Sequence, residues 1–308
     1  RRKDRAQRKI LIAAVCIAAV IIGVGIGGHV IKKNAGKTMT TAETESKKAV
    51  SKKKATAKKL TINENETDAS NKENQGQKDQ AADRSEFAVQ PERKVGTTEQ
   101  SDEKVVYLTL DDGPSKNTQA VLDILDKYNA KATFFVTGAM PEYKDMIKKA
   151  YDKGHTIGMH TYSHDYAKVY ASVDAYFQDL DQIGQLVKEE IGYVPCFIRF
   201  PGGSSNTISA SYTKGIMTTL TQEIQARGYQ YYDWNGSSGD GAVRTTEQLV
   251  DQATSFHDNN IILLSHDSET KDTTVEALPK IIEYYQSQGY VFKALDLNSY
   301  VAHHGVNN

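Results

Sequence analysis

The chain has 308 residues and a formal net charge of −1, a length that allows one large domain with extra segments, or two domains. The near-zero charge gives no reason to expect a nucleic-acid partner, because such partners select strongly basic surfaces. Phe87 is the only aromatic residue before Tyr107, so the core-building residues lie in the C-terminal two-thirds and one globular domain is the simpler interpretation.

The first element in the chain is an apolar run from Ile10 to Ile31 that contains no Lys, Arg, Asp or Glu. About 20 apolar residues span a bilayer as a helix, so the run predicts a transmembrane helix. Six Lys and Arg residues crowd the preceding residues 1–9, which predicts a cytoplasmic basic tail and a single-pass membrane protein with its remainder extracytoplasmic. A cleaved signal peptide is the alternative, but the run is longer than a typical signal-peptide core.

Residues 32–104 are rich in Lys, Ala, Thr, Glu, Asn, Gln and Ser and offer almost no side chains to bury. Ordering such a segment loses more conformational entropy than its contacts return. We therefore predict a disordered extracytoplasmic linker over this range. The two cysteines, Cys16 and Cys196, fall in the apolar run and in the globular part, so no disulfide is expected between them.

From residue 105 onward, short β-rich runs alternate with longer segments of helical pattern. The predicted strands are Val105–Leu110, Ala132–Val136, Thr156–His160, Phe197–Phe200, Tyr229–Trp234, Ile261–Ser265 and Val291–Leu295. The predicted helices are Thr118–Tyr128, Pro141–Lys153, Asp174–Glu190, Tyr212–Arg227, Thr246–Asn259 and Thr274–Gln288. This alternation predicts an α/β domain over residues 105–308 with parallel strands, and the pattern suits a closed barrel whose site lies at the C-terminal strand ends.

A divalent-metal site is indicated by side chains that follow two of these strands. His160 and His164 are four residues apart, so a helical turn would point both imidazoles to one side. Asp112 offers a third ligand, and two His with one carboxylate leave a position open for water or substrate. The alternative for the histidines is two unrelated polar side chains.

Candidate acid and base groups lie at the same strand ends. Asp111 precedes Asp112 in an extended strand, where alternation aims the two carboxylates differently, so Asp111 is free to remove a proton from water. His266 can donate a proton to a leaving nitrogen, and Arg199 can pair with Asp111 and hold it ionised. The alternatives are an Asx turn at Asp111–Asp112, a structural role for His266 and an exposed Arg199. We interpret the other histidines as structural or solvated: His29, His155, His257, His303 and His304.

Five ordered segments between about Val105 and Leu297 resemble the motif series of the polysaccharide deacetylases, the NodB-homology domain of carbohydrate esterase family 4. They begin at Thr109 (TLDDG), His160 (HTYSH), Arg199 (RFPGG), Tyr232 (YDWN) and Leu264 (LSHD).

The resemblance implies a distorted (β/α) barrel and a role for each motif residue. Asp111 is implied as general base and His266 as general acid, and Arg199 as the residue that orients the base. The implied metal ligands are Asp112, His160 and His164. The residues implied at the substrate or oxyanion are Pro201, the Gly202 N–H and Leu264. Trp234 is a candidate platform for stacking on sugar rings, and a core aromatic at a strand end is the alternative.

The sequence departs from the family pattern at two places. Ser237 stands where many members carry an acid that supports the acid histidine; Asp240 is retained and Asp233 is an alternative supporting acid. Gly202 and Gly203 replace a bulkier residue after the proline, which predicts a more open cleft floor.

We therefore predict a metal-dependent hydrolase that removes N-acetyl groups from an amino-sugar polysaccharide and releases acetate, with peptidoglycan N-acetylglucosamine as the expected polymer. One divalent metal is expected, with Zn favoured and Co or Ni as alternatives, on a monomeric catalytic domain. Two rival hypotheses remain: a catalytically silent glycan-binding wall protein with the same fold, and an O-deacetylase of another polysaccharide such as xylan.

Overall fold

The computed structural model of the chain describes residues 83–308. The predicted basic tail, the predicted transmembrane helix over Ile10–Ile31 and most of the predicted linker lie outside the described residues. Among residues 83–308, no helix combines the length and the apolar character needed to cross a bilayer.

Eight strands form one sheet in which every ladder is parallel. They are β1 (Val105–Asp111), β2 (Ala132–Thr137), β3 (Thr156–Thr161), β4 (Phe197–Ile198), β5 (Gln230–Tyr231), β6 (Gly236–Ser237), β7 (Asn260–His266) and β8 (Val291–Phe292). Their order in space is β5-β4-β3-β2-β1-β7-β6, and β8 pairs with the first residues of β1. The predicted α/β class with parallel strands is confirmed.

The closed barrel expected from the strand pattern is wrong, because the sheet curves into a half-barrel whose edge strands are not joined by a ladder. In the described part of the chain, no ladder joins the edge strands β5 and β6, which the residues Tyr232–Asn235 connect. The Asp233 N–H in this connection donates to the carbonyl of Ala302, so the C-terminal segment packs along the gap. Two-residue edge strands offer too few backbone groups to complete the barrel.

In residues 83–308, seven helices connect the strands. They are α1 (Thr118–Lys127), α2 (Asp145–Asp152), α3 (Tyr166–Val169), α4 (Val173–Ile191), α5 (Ile216–Ala226), α6 (Thr246–Ala253) and α7 (Asp272–Ser287). Short 3-10 turns lie at Ser85–Phe87, Pro141–Tyr143 and Ile208–Ser211. Strands β1, β2 and β3 are buried along their whole length, because helices cover one face and the barrel core fills the other.

Helix α4 shows how local sequence sets an element that later supports the site. The Ser172 side chain accepts a hydrogen bond from the Ala175 N–H at the N-terminus, and Gly192 ends the helix with a φ of 92°, as capping preferences predict. The buried face of α4 includes Leu180 and Ile183, but also the carboxylate of Asp179.

The predicted strand boundaries are wrong where strands are short or lack residues with high β propensity. The predicted strand Phe197–Phe200 is paired only at Phe197–Ile198, and those at Tyr229–Trp234 and Val291–Leu295 are also reduced to two residues. Strand β6 was missed because Gly and Ser have low β propensity.

The predicted linker boundary at residue 104 is wrong, because the folded domain includes most of residues 85–104. Phe87 is buried with its ring 5.3 Å from that of Phe197, and its carbonyl accepts the Cys196 N–H. Val95 is buried as well. Two apolar anchors in a polar segment give no periodicity, so the sequence pattern did not reveal this packing.

Candidate metal and catalytic site

The site lies at the carboxyl ends of β1, β3 and β7. Asp111 ends β1 and is in register with His266, which ends the neighbouring strand β7. The next residue, Asp112, has a φ of 70°, in the left-handed region that non-glycine residues rarely adopt. The chain therefore turns between the two aspartates, which aims their carboxylates in different directions, as the sequence predicted.

Asp112, His160 and His164 come together, and their candidate ligand atoms all lie within 4.8 Å of one another. The Asp112 Oδ1 is 3.5 Å from the Nε2 of His160 and 3.1 Å from the Nε2 of His164. His160 is the fifth residue of β3, and His164 lies in the following loop with a φ of 48°. The structure thus assembles the three residues that the sequence grouped.

The tautomer of His160 and the unpaired oxygen of Asp112 are both compatible with a bound cation. The Nδ1 of His160 lies 2.6 Å from the backbone carbonyl of Arg199, which can only accept, so Nδ1 carries the proton and Nε2 presents a lone pair. Burial lowers the pKa of His160 to about 3. Asp112 Oδ1 is buried without a hydrogen bond. Lone pairs that face each other repel, and a cation between them would satisfy all three, as two His and one carboxylate do in catalytic sites.

Asp111 is held by Arg199, a side chain that is itself fully buried. The Arg199 Nη1 donates to Asp111 Oδ1 at 2.8 Å and to the Thr109 hydroxyl at 2.7 Å, and its Nε donates to the Tyr232 carbonyl. Burial raises the pKa of Asp111, and the guanidinium opposes that rise. The predicted pairing is therefore present, and it gives a fixed carboxylate that is a stronger base than one in water.

His266 is supported by Asp240 rather than by the two other candidates. Asp240 Oδ1 accepts from the His266 Nδ1 at 2.8 Å, whereas Ser237 accepts the Gly239 N–H and Asp233 accepts from Ser204. The predicted alternative support by Asp233 is therefore wrong. Burial alone would lower the pKa of His266, but the Asp240 carboxylate outweighs it and raises that pKa to about 9. The imidazole is thus held as a proton donor.

Pro201 and Gly202 follow β4 in a tight turn. Pro201 is buried, and its carbonyl accepts from the Tyr170 hydroxyl at 2.8 Å. Gly202 is exposed with a φ of 74°, and its N–H has no hydrogen-bond partner among residues 83–308. The N–H is therefore available to a ligand.

The expectation of an open cleft floor at the two glycines is wrong. A methyl group added to Gly202 would lie 2.7 Å from the Tyr166 hydroxyl oxygen, and one added to Gly203 would lie 3.0 Å from the Trp234 ring. The space that a larger side chain would occupy is filled by aromatic side chains from other segments. The sequence could not show this, because Tyr166 and Trp234 are distant from the glycines along the chain.

Trp234 and Leu264 occupy different environments. The half-buried Trp234 ring meets the His304 ring edge-on at 4.7 Å between centroids, and the Trp234 carbonyl accepts from the His304 Nε2. Leu264 lies inside β7, with only 8% of its surface exposed. Trp234 can offer part of its ring to a ligand, whereas Leu264 mainly packs in the core.

Buried Asp233 joins the glycine turn to the C-terminal segment. Its carboxylate accepts from the Ser204 N–H and hydroxyl and from the His304 N–H. His303 stacks on Tyr231 with 3.9 Å between ring centroids. These contacts agree with the structural interpretation of His303 and His304. His155 is likewise buried and accepts the Ala132 N–H.

Three further residues at the site were given no role by sequence reasoning. Asp179 of α4 accepts hydrogen bonds from the N–H groups of Tyr162 and Ser163 in the loop before His164. Its position on the apolar face of α4 could have identified it from the sequence, because a buried carboxylate needs partners. Asp267 is fully buried beside Gly113 and accepts from the Thr118 hydroxyl, and burial raises its pKa to about 7. Tyr166 gave no sequence signal.

Comparisons with known proteins show which family this chain is similar to. The sequence model described as "Polysaccharide deacetylase" matches residues 98–219. A peptidoglycan-N-acetylglucosamine deacetylase of Bacillus cereus is 32% identical over 201 residues, which cover 62% of this chain and 69% of the relative. The catalytic domain of a peptidoglycan N-acetylglucosamine deacetylase from Eubacterium rectale is 46% identical, with a TM-score of 0.66 over 68% of this chain and 97% of that domain. A polysaccharide deacetylase structure from Bacillus cereus is 30% identical, with a TM-score of 0.55 over 63% of this chain and 93% of that one.

Proposed function

This chain belongs to the polysaccharide deacetylase family of hydrolases, and we propose that it removes N-acetyl groups from the N-acetylglucosamine of peptidoglycan. The substrate is supported by two relatives that carry peptidoglycan N-acetylglucosamine in their names, one of them 46% identical. The reaction adds water to the acetamide, breaks the carbon–nitrogen bond and yields acetate and a free amine.

The observation that carries the proposal is the in-register pairing of Asp111 and His266 on adjacent strands, beside the cluster of Asp112, His160 and His164. A buried carboxylate and a protonated imidazole at one strand end are a base and an acid for the same reaction. A glycan-binding protein has no need of that pair.

Asp111 accepts the proton of the attacking water, and Arg199 fixes the orientation of its carboxylate. The free Gly202 N–H donates to the carbonyl oxygen as negative charge develops there. His266 then gives its Nε2 proton to the departing nitrogen, because its Nδ1 is held by Asp240. General acid and base groups of this kind each contribute about 10²- to 10⁴-fold to the rate.

We assign the ligands of one divalent cation to Asp112, His160 and His164, and we propose zinc. When bound, such a cation polarises the acetamide carbonyl and lowers the pKa of water. Imidazole nitrogens with one carboxylate suit zinc, although cobalt and nickel accept the same donors.

We further propose that the catalytic domain acts as a monomer outside the cell and is held at the membrane by Ile10–Ile31. The support comes from the sequence, in which basic residues 1–9 precede an apolar run and a long polar segment follows it. A tether of that kind keeps a domain close to the cell wall.

The direct test is acetate release by the metal-loaded full chain from purified peptidoglycan, N-acetylglucosamine oligosaccharides and acetylated xylan. We expect release from the two amino-sugar substrates and a loss of at least about 100-fold in Asp111→Asn. The matched control is Asp251→Asn, which removes an exposed carboxylate on α6 and should retain wild-type activity.

Two outcomes would replace the proposal with a rival. No acetate from any polymer with zinc, cobalt or nickel indicates a silent glycan-binding protein. Release from acetylated xylan alone indicates an O-deacetylase.

A further inference from the structure

The hydroxyl of Tyr166 lies directly beside Gly202. Its oxygen is 2.7 Å from the position that a methyl group on Gly202 would take. Tyr166 is the first residue of the short helix α3, whose preceding Asp165 caps it by accepting the Ala167 N–H. The cap fixes the start of the helix, and with it the backbone that carries the Tyr166 side chain.

Two neighbouring rings fix the position of the Tyr166 ring, whereas its hydroxyl has no hydrogen-bond partner among residues 83–308. The ring meets His164 edge-on at 6.1 Å and Tyr170 edge-on at 5.4 Å. Tyr170 uses its own hydroxyl to bond the Pro201 carbonyl, but the Tyr166 hydroxyl makes no hydrogen bond within residues 83–308. Tyr166 is only half-buried, and its hydroxyl oxygen is not among the buried polar atoms that lack a partner, so a ligand can reach it.

Residue 202 and the Tyr166 hydroxyl therefore lie close together, and each carries a donor, the Gly202 N–H and the Tyr166 O–H, without a hydrogen-bond partner among residues 83–308. A tyrosine hydroxyl can donate a hydrogen bond, and it is among the side-chain donors that stabilise oxyanions. Both donors lie close in sequence to groups of the predicted metal site. Tyr166 begins α3, two residues after His164. Gly202 lies three residues after Arg199, whose carbonyl orients His160.

We propose that the Tyr166 hydroxyl is a second hydrogen-bond donor, beside the Gly202 N–H, to the acetamide carbonyl oxygen as that oxygen becomes negatively charged. The inference rests on the proposed deacetylation. It also accounts for glycine at position 202, because a side chain there would displace the Tyr166 hydroxyl from the substrate's carbonyl oxygen.

The test is Tyr166→Phe, which deletes one oxygen atom that has no partner in the free protein. We expect kcat on N-acetylglucosamine oligosaccharides to fall on the order of 100-fold, the loss typical of one oxyanion donor. KM, metal content and melting temperature should match those of the wild type, because no hydrogen bond of the unliganded protein is removed.

Two matched variants separate this role from packing. Tyr170→Phe removes the buried hydrogen bond to the Pro201 carbonyl and should lower the melting temperature, because it leaves a buried acceptor without its donor. Tyr284→Phe changes a half-buried tyrosine of α7 and should behave as wild type in every measurement.

The inference is overturned if Tyr166→Phe keeps the wild-type kcat, or if only KM rises, which would mean a contact made equally with the bound substrate. It is also overturned if the variant loses metal or melts at a lower temperature in proportion to its lost activity. Each of these results leaves the proposed function intact, provided that the wild type releases acetate. A wild type that releases none defeats the proposed function instead.

Discussion

The carboxylate of Asp240 binds His266 at two points, accepting the backbone N–H on Oδ2 and the ring Nδ1 on Oδ1, each at 2.8 Å. The Thr274 hydroxyl also donates to Oδ2. Asp240 thus fixes the tautomer and the orientation of the imidazole and leaves Nε2 for a substrate. This contact supplies the support that Ser237 does not.

Replacing Asp240 by Asn should weaken the general acid. Without the carboxylate, burial dominates and the pKa of His266 falls from about 9, so the protonated form is lost at a lower pH. We expect kcat/KM near neutral pH to fall about 10²- to 10⁴-fold, with the alkaline limb of the pH profile moved to lower pH. Ser237→Ala is the control, and an unchanged alkaline limb in Asp240→Asn would contradict the assignment.

The same pair should make the stability of the metal-free protein depend on pH. The folded-state pKa of His266 is raised from 6.5 to about 9, so its contribution is complete below about pH 6.5 and is lost as pH rises through about 9. At about 1.4 kcal/mol per pKa unit, the contribution is on the order of 3 kcal/mol.

Urea unfolding of the chelator-treated wild type and Asp240→Asn measures this contribution as a difference in the free energy of unfolding. That difference should be larger near pH 6 than near pH 10. The pKa of Asp240 is lowered because the His266 interactions outweigh burial, so its contribution is lost at the acid end, below the usual carboxyl pKa of about 4. Equal differences at both pH values would argue against a charged pair.

Metal binding should stabilise the wild type and not a variant that lacks one ligand. A ligand at about 100 times its Kd adds about 2.7 kcal/mol to the free energy of unfolding. We expect zinc to raise the melting temperature of the wild type and of His257→Ala, which alters an exposed histidine. His164→Ala should show no such rise and should retain no metal after dialysis. A full zinc response in His164→Ala would exclude His164 as a ligand.

Asp179 should act as a positioning residue for His164. Its Oδ1 accepts the Tyr162 N–H at 2.5 Å, and its Oδ2 accepts the Ser163 N–H at 3.1 Å. Asp179→Asn replaces one acceptor with a donor, so we expect the zinc Kd, measured by chelator competition, to rise on the order of 10-fold. Asp181→Asn changes an exposed residue of the same helix and should leave the Kd unchanged. A Kd for Asp179→Asn equal to the wild-type value would remove this role.

The contact between Tyr166 and Gly202 predicts non-additive stability effects. Gly202→Ala places a methyl group 2.7 Å from the Tyr166 oxygen and forces alanine into left-handed backbone, which by itself costs about 1–2 kcal/mol. In a Tyr166→Phe background the oxygen is absent and only the backbone cost remains. Denaturant unfolding of the four proteins should show a smaller cost of Gly202→Ala in the double variant. If the two changes in the free energy of unfolding simply add, Tyr166 and Gly202 are not in contact.

The sequence predicted the parts of this protein in which chemistry and strand pattern coincide. Strands β1, β2, β3 and β7 combine β-branched or aromatic residues with clear boundaries, and parallel strands bring their carboxyl ends to one edge. Asp111 and His266 could therefore be placed together although 155 residues separate them.

What the sequence missed depends on tertiary contacts. Strands of two residues carry no periodicity, and the segment before β1 is anchored in the core only by the isolated apolar side chains of Phe87 and Val95. The choice of Asp240 over Asp233 to support His266 is made by the path of a loop, because both acids flank the same segment. Tyr166 meets Gly202 only after α3 folds over the turn.

Asp233 accepts hydrogen bonds from both Ser204 in the glycine turn and the His304 N–H, so changes at the C-terminus can reach that turn. Displacing the C-terminal segment would remove the His304 N–H from the buried Asp233 side chain, and a buried polar group that loses its hydrogen bond destabilises the fold by about 1–3 kcal/mol. Truncation before His304, or a tag fused directly to it, would therefore disturb the turn that carries Gly202 and Gly203. Variants should be compared only when they share the same C-terminal sequence.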